Sequence, residues 1–231
     1  MAGRLKLMRA PLRYIQGLDA LCSFHKELGD LGNRWLFICS NSGHKACHDK
    51  IESSFAGEND YRRYEIFGGV SSTGEIEKMR KIVAEDKIDV VVGIGGGSAI
   101  DTAKAVAYYE KLPVAVVPTV IATDAPCTGL SVIYNDDSFD RYLFYPDNPH
   151  AVIVDSQVIA EAPVSFLIAG MGDALGTYFE ARICAKYDAP SLENGGVTLS
   201  AMALAKLCYE TLKTYGKAAV ASCENNVVTP E

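Results

Sequence analysis

A cluster of glycines at residues 93–98 constrains this 231-residue chain more than any other feature. The cluster, Gly93-Ile-Gly-Gly-Gly-Ser98, follows an apolar, β-branched run and precedes a segment with helical spacing. Glycines in such a turn let the main chain approach a pyrophosphate closely, and the helix amino terminus offers free N–H groups and a positive dipole. Ser98 stands where the motif G-x-G-x-x-G has its last glycine, so a plain tight turn is the alternative interpretation, and the strand–helix context favours phosphate binding.

Hydrophobic periodicity predicts alternating strands and helices through the first half of the chain. Strands are expected at residues 34–39, 64–67, 89–94, 113–117 and 151–155, with helices at residues 44–53, 73–85 and 99–109. This order is typical of a parallel sheet, so we predict an α/β fold built on a Rossmann-like sheet. Residues 130–134 and 141–145 flank a polar turn at 135–138, which predicts a β-hairpin.

No strand pattern follows residue 160, where we expect a domain boundary. Residues 163–186 and 192–215 have the composition of long apolar helices. We therefore predict a dinucleotide-binding domain at residues 1–160 and the start of an all-helical domain at residues 161–231. The helices are expected to have apolar faces without a covering partner, which predicts a homo-oligomer. These faces include Leu199, Leu204 and Leu207.

Composition excludes two classes of partner. The net charge of −7 argues against nucleic acid as the main ligand, and no charge-free apolar run reaches the ~18 residues that a membrane span needs. The amino-terminal residues lack the apolar core of a signal peptide, and seven cysteines without framework spacing suit reduced thiols. A cytoplasmic protein is the expectation.

The residues that end the first predicted strand, Cys39, Ser40 and Asn41, include no carboxylate. A Rossmann strand usually supplies an acid there to hold the adenosine ribose, so either these polar groups contact the ribose or the site tolerates a 2′-phosphate. Nearby, His44 and His48 lie one helical turn apart with Cys47 between them. Zinc binding by these three is one interpretation, and a solvated helix face is the other.

Two aspartates are candidates for site chemistry. Asp173 lies in the apolar middle of a predicted helix, where a buried carboxylate needs a metal or a helix–helix hydrogen bond. Gly170 and Gly172 beside it predict close approach of a neighbour or ligand. Asp124 follows a sheet strand, where it could orient a polyol hydroxyl or form an Asx-turn before Pro126.

Three motifs, in this order, carry a resemblance to a known family. They are Gly95-Gly-Gly-Ser-Ala-Ile-Asp-Thr-Ala-Lys104, Val117-Pro-Thr-Val-Ile-Ala-Thr-Asp-Ala-Pro-Cys127 and Ala169-Gly-Met-Gly-Asp-Ala-Leu175. Together they resemble the glycerol-oxidising members of the iron-containing (group III) alcohol dehydrogenase family, which is related in fold to dehydroquinate synthase. The resemblance implies a Rossmann-like NAD domain, a helical domain and an active site in the cleft between them.

The resemblance also implies roles for individual residues. Asp124 would bind substrate, and Asp173 would be one ligand of a divalent metal, zinc in the glycerol-oxidising members. The metal would act as a Lewis acid in the NAD-dependent oxidation of glycerol or a similar small polyol. The cofactor contacts would be Gly95, Gly96, Gly97, Ser98, Asp101, Thr119, Thr128, Leu130 and Tyr134.

The chain departs from the family pattern at several points. Cys39 and Ser40 stand where members usually carry an acid, Ala122 stands where they place a serine, and the family's two histidine ligands would lie beyond residue 231. Two hypotheses follow: a metal- and NAD-dependent polyol dehydrogenase, or a shortened, catalytically silent nucleotide-binding or scaffold paralogue. A glycerol-1-phosphate dehydrogenase is a third, but it would need a basic pocket, whereas the Asp124–Cys127 loop favours a neutral polyol.

Overall fold

The computed structural model describes residues 4–135, 138–192 and 195–230. Its centre is a parallel sheet of six strands in the order β1-β8-β5-β4-β2-β3, which confirms the predicted α/β fold. The strands are β1 (Arg13–Gly17), β2 (Arg34–Cys39), β3 (Tyr61–Ile66), β4 (Val90–Gly95), β5 (Val114–Pro118), β6 (Leu130–Asn135), β7 (Ser138–Phe144) and β8 (Ala151–Asp155). The helices are α1 (Phe24–Leu28), α2 (Asn41–Ser54), α3 (Thr73–Asp86), α4 (Gly97–Glu110), α5 (Ser156–Ala160), α6 (Val164–Tyr187) and α7 (Leu199–Glu224).

Two apolar cores lie on opposite faces of the sheet. One is built around Leu36, Val91 and Val116 under α3 and α4, and the other around Trp35 and Val92 under α1 and α2. The side chains of a strand point alternately to the two faces of the sheet. A core covers each face of β4, so this strand is buried along its whole length. Burial of both faces explains why the central strands read as continuous apolar runs rather than alternating ones.

The predicted hairpin forms from β6 and β7, which pair antiparallel from Leu130↔Phe144 onward. Residues 136 and 137 of its predicted turn lie outside the described residues. The backbone of Tyr134 on β6 bridges to the segment before α3, where its N–H donates to the carbonyl of Ser71 at 2.9 Å. The hairpin therefore lies beside the parallel sheet, next to α3 and α4.

Helices α6 and α7 pack against each other through aromatic side chains, with the Tyr178 and Tyr209 ring centroids 5.2 Å apart. The predicted start of the second helix at residue 192 is wrong, because α7 begins at Leu199, after Thr198 caps it by accepting the Ala201 N–H. The outer faces are uncovered, as predicted: Leu199, Leu204 and Leu207 are 87%, 53% and 58% exposed.

Gly170 brings α6 against the loop that follows β5. A Cβ at this position would lie 1.9 Å from the carbonyl oxygen of Ile121, so the contact requires glycine. The prediction of a close neighbour is therefore confirmed for Gly170. At Gly172 a Cβ would meet nothing within 4 Å, so no described part of the protein approaches this glycine, and close approach of a ligand there stays a prediction.

The sequence also predicts reduced cysteines and the absence of a membrane span. All seven cysteines are free thiols. Within the described ranges, no helix is both long enough and apolar enough to cross a bilayer.

Candidate functional site

The carboxyl ends of three neighbouring strands meet at one edge of the sheet. The Ser40 N–H, just after β2, donates to the carbonyl of Ile94 at 2.9 Å, and the Thr119 N–H, just after β5, donates to the carbonyl of Gly95 at 3.0 Å. These bonds hold the β2–α2 turn, the glycine turn and the loop after β5 side by side. Open α/β sheets bind their ligands at this edge.

The glycines between β4 and α4 have two different functions. Gly95 has φ +149°, and a Cβ there would lie 2.9 Å from both Ser40 Oγ and Ala99 Cβ, so the turn itself requires glycine. A Cβ at Gly97 would come no closer than 3.8 Å to Thr123 Oγ1 and Ala125 Cβ. This is an ordinary van der Waals distance, so Gly97 faces the loop after β5 across a gap about one methyl group wide.

The amino terminus of α4 has no capping side chain within the described part of the chain. Its N-cap is Gly96, and its first turn contains no acid. By contrast, Ser40 caps α2 by accepting the Gly43 N–H at 3.0 Å, and Ser72 caps α3 by accepting the Glu75 N–H at 3.2 Å. The first N–H groups of a helix have no intrahelical partner, so those of α4 fit an anionic phosphate.

The loop after β5 brings Asp124 next to the glycine turn. Asp124 is exposed, and its side chain makes no capping hydrogen bond to the short 3₁₀ turn Ala125–Cys127 that follows. The Asx-turn interpretation of Asp124 is therefore wrong. Its neighbours Thr123 and Ala125 border Gly97, and burial together with the charge of Asp124 raises the pKa of Cys127.

A buried lysine, which sequence reasoning missed, organises this loop. Lys104 on α4 is 2% exposed, and its Nζ donates to the carbonyls of Ala125 at 2.9 Å, Thr128 at 3.4 Å and Leu130. Burial lowers the pKa of Lys104, while Asp101, with its Oδ1 3.0 Å from Nζ, raises it. A lysine in the apolar run of α4, three residues after an acid, was the available signal.

Asp101 is thus part of the framework of the site. It is 6% exposed, and its Oδ2 accepts the N–H of Val132 on β6 at 3.0 Å. Its Oδ1 is buried and forms the ion pair with Lys104 Nζ at 3.0 Å. The contact of Asp101 with a cofactor stays a prediction.

The other predicted cofactor residues lie in the segment that follows β5 and on the hairpin strand β6. Thr119 is buried at the end of β5, and Thr128 Oγ1 donates to the carbonyl of Ala125 at 3.2 Å. Leu130 and Tyr134 are half-buried on β6. Their positions along one loop and the hairpin that it enters are compatible with the predicted contacts, which stay predictions.

Comparison with known proteins identifies the family. The model of the iron-containing alcohol dehydrogenase family matches residues 11–156. The chain belongs to this family. It is 46% identical over 228 residues to a glycerol dehydrogenase of Thermotoga maritima, covering 95% of this chain and 60% of the relative. A glycerol dehydrogenase of Escherichia coli O6:H1 is 42% identical over 226 residues, covering 97% of this chain and 62% of the relative.

Solved structures of family members have the same fold. The glycerol dehydrogenase of Schizosaccharomyces pombe superposes with a TM-score of 0.91 at 32% identity, covering 98% of this chain and 58% of that one. A probable glycerol dehydrogenase of Sinorhizobium meliloti superposes with a TM-score of 0.89 at 34% identity, covering 97% of this chain and 62% of that one. The chain thus spans about 60% of the length of these relatives.

The predicted metal ligand of the family, Asp173, is exposed, so its expected burial is wrong. The reason is that α6 packs against α7 and, through Gly170, against the loop after β5, which leaves much of its remaining surface to solvent. Asp173 follows Gly170 by three residues, so the two lie on neighbouring parts of one helix face. Within the described ranges, Asp173 belongs to no group of three His, Cys, Asp or Glu donors within 4.8 Å of one another.

The interpretation of His44, Cys47 and His48 on α2 as a zinc site is also wrong. The His44 and His48 rings lie 4.7 Å apart and both contact Tyr64, whereas Cys47 points into the core. Burial raises the pKa of the Cys47 thiol to about 12, which keeps it protonated. Only the solvated-face interpretation of this histidine pair remains.

Proposed function

We propose that this chain forms the dinucleotide-binding part of an NAD-dependent polyol dehydrogenase that oxidises glycerol or a similar small polyol. The observation that carries the proposal is the uncapped amino terminus of α4 behind Gly95, Gly96 and Gly97. The substrate class comes from relatives named glycerol dehydrogenase at 41–46% identity. These names favour the dehydrogenase over a silent scaffold.

Different residues of the site would bind the cofactor and the substrate. The N–H groups of Gly97 and Ser98 would donate to the pyrophosphate, whose charge the helix dipole stabilises. A nicotinamide dinucleotide held there would supply the hydride acceptor that oxidation of an alcohol carbon requires. The Asp124 carboxylate would accept hydrogen bonds from substrate hydroxyls, which favours a neutral polyol over an anionic substrate.

The family implies a divalent metal, zinc by the resemblance, with Asp173 as one ligand. A catalytic zinc site needs three protein ligands, and a single exposed carboxylate does not supply them. The described residues therefore do not fit a metal at Asp173.

The glycine turn before α4 is present, whereas the described residues do not form a metal site at Asp173, and this contrast leads to a prediction for the 231-residue chain. It should bind NADH saturably, because the glycine turn is complete, and should not oxidise glycerol, because the described residues do not hold a catalytic metal. A fluorescence titration measures binding, and an assay with NAD, glycerol and added zinc measures turnover. Chelator-sensitive turnover would contradict the second part, and absence of NADH binding would contradict the first.

The cofactor preference of this site depends on Ser40. Its hydroxyl caps α2, and no carboxylate stands at the β2–α2 turn to repel a 2′-phosphate. We therefore expect the site to accept NADPH as well as NADH. Lys45, in the helical turn of α2 that follows Ser40, adds a positive charge that favours a 2′-phosphate.

Replacing Ser40 with aspartate tests this preference without removing the cap, since Asp and Ser are comparable N-cap residues. The new carboxylate should hold the ribose 2′-hydroxyl of NADH and repel the phosphate of NADPH, shifting the affinity ratio by about tenfold or more. Ser40→Asn, which also caps a helix and carries no charge, is the matched control. An unchanged ratio in Ser40→Asp would mean that the ribose lies elsewhere.

Two further properties belong to the proposal. The exposed apolar side chains of α6 and α7 favour assembly into a homo-oligomer. Seven free thiols suit a reducing compartment, which agrees with a cytoplasmic location.

A further inference from the structure

We propose that His25, Glu58 and Asp60 bind a divalent transition-metal ion of the Zn²⁺ class, at a site separate from the proposed dinucleotide site. His25 lies on α1, and the two carboxylates lie between α2 and β3. Asp60 immediately precedes β3, so the group lies at the amino ends of the strands, opposite the glycine turn. In the described ranges it is the only set of three His, Cys, Asp or Glu residues whose donor atoms lie within 4.8 Å of one another.

One donor atom from each of the three residues lies within 4.8 Å of the other two, which is close enough for all three to reach one ion. His25 Nε2 lies 3.5 Å from Asp60 Oδ2, and His25 Nδ1 lies 3.8 Å from Glu58 Oε1. For comparison, the exposed pair His48–Asp49 closes to 2.9 Å. Two zinc bonds of about 2.1 Å at the tetrahedral angle hold their ligand atoms about 3.4 Å apart, close to the His25–Asp60 separation.

The charge of the cluster also calls for a cation. The Asp60 side chain is only 8% exposed. No Lys or Arg in the described ranges forms an ion pair with Glu58 or Asp60, since Arg62 directs its guanidinium to Glu52 and to the backbone carbonyl of Asp60. A carboxylate buried to this extent is unfavourable without a compensating positive charge.

The surroundings of the cluster resemble those of a metal site. Trp35 Nε1 donates to Asp60 Oδ2 at 2.8 Å, and ligating carboxylates are characteristically hydrogen-bonded in this way. A Cβ at Gly29 would lie 2.9 Å from Nε2 and 3.0 Å from Cε1 of His25, so glycine leaves room for the imidazole ring in its present position. Glu58, 48% exposed, leaves one side open to solvent for entry of the ion and for water ligands.

A zinc titration of the 231-residue protein against a chromophoric chelator tests the site. The wild-type protein should bind one zinc ion, and zinc should raise its melting temperature, because binding to the folded state alone stabilises it. His25→Gln and Glu58→Gln should each weaken binding by more than the 10–100-fold typical of changes outside the ligand set. Gly29→Ala should also weaken binding while leaving all three ligands in place.

Two controls keep the outcome specific. His48→Gln removes another surface histidine beside an acid, and Asp173→Asn removes the predicted metal ligand of the family; neither should change the affinity. The proposal is overturned if wild-type protein binds no zinc at millimolar concentration. It is equally overturned if His25→Gln and Glu58→Gln bind as tightly as His48→Gln, which would leave His25 as an ordinary ion-pair partner.

Discussion

Replacing Lys104 with methionine is expected to lower the free energy of unfolding by about 3–5 kcal/mol, the range for breaking a buried ion pair. The substitution leaves the 6%-exposed Asp101 without its cation and removes the lysine donor from three carbonyls. Methionine has a similar length, so little packing volume is lost. Urea unfolding measures the change.

The matched control is Lys78→Met on α3. Lys78 also follows its acid by three residues, with its Nζ 3.2 Å from Glu75 Oε1, but it is 52% exposed. A solvent-exposed pair contributes about 0–1 kcal/mol. If Lys104→Met is as mild as Lys78→Met, the buried pair does not organise the loop. Because Lys104 holds the carbonyls of Ala125, Thr128 and Leu130, NADH affinity should fall only in the Lys104 variant.

Replacing Gly97 with aspartate is expected to weaken NADH binding by about 100-fold or more, since a carboxylate ~4 Å from a phosphate charge costs about 4 kcal/mol at an effective dielectric constant of 20. The fold should tolerate the change, because a Cβ there would make only ordinary contacts, at 3.8 Å, and an acid in the first turn of a helix is stabilising. The variant should therefore melt at or above the wild-type temperature while losing its ligand.

Gly97→Asn separates charge from size in this experiment, because it has nearly the same shape without the full charge. Isothermal titration with NADH on all three proteins gives the comparison. Tight binding by Gly97→Asp would mean that the pyrophosphate does not lie at the amino terminus of α4. Equal losses in the Asp and Asn variants would indicate steric exclusion from the same gap.

The sequence predicted those elements whose burial is uniform. The central strands lie between two cores, so their apolar runs stand out, and the glycine turn is recognisable between β4 and α4. Edge strand β1 was missed because it is only five residues long and Ile15 is its one aliphatic residue, between Tyr14, which is 56% exposed, and Gln16. A pattern this short and polar does not stand out as a strand in the sequence.

Prediction of the site was limited by contacts between distant segments. Lys104 acts on residues 21 to 26 positions away, which local patterns do not encode. Asp173 was expected to be buried because its neighbours in sequence are apolar, but burial depends on what packs against α6. Gly170 was predicted correctly as a point of close approach, because a glycine inside a helix is unfavourable without a structural reason.

The central claim is that a nicotinamide dinucleotide binds with its pyrophosphate at the amino terminus of α4. Amide chemical shifts followed by NMR during an NAD titration test this directly, because the N–H groups concerned are observed individually. The account predicts saturable shifts concentrated at Gly96, Gly97 and Ser98, with amides of α7 and of His25 at the opposite edge unchanged. Saturable binding that leaves those three amides unmoved, or no binding at millimolar NAD, would contradict it.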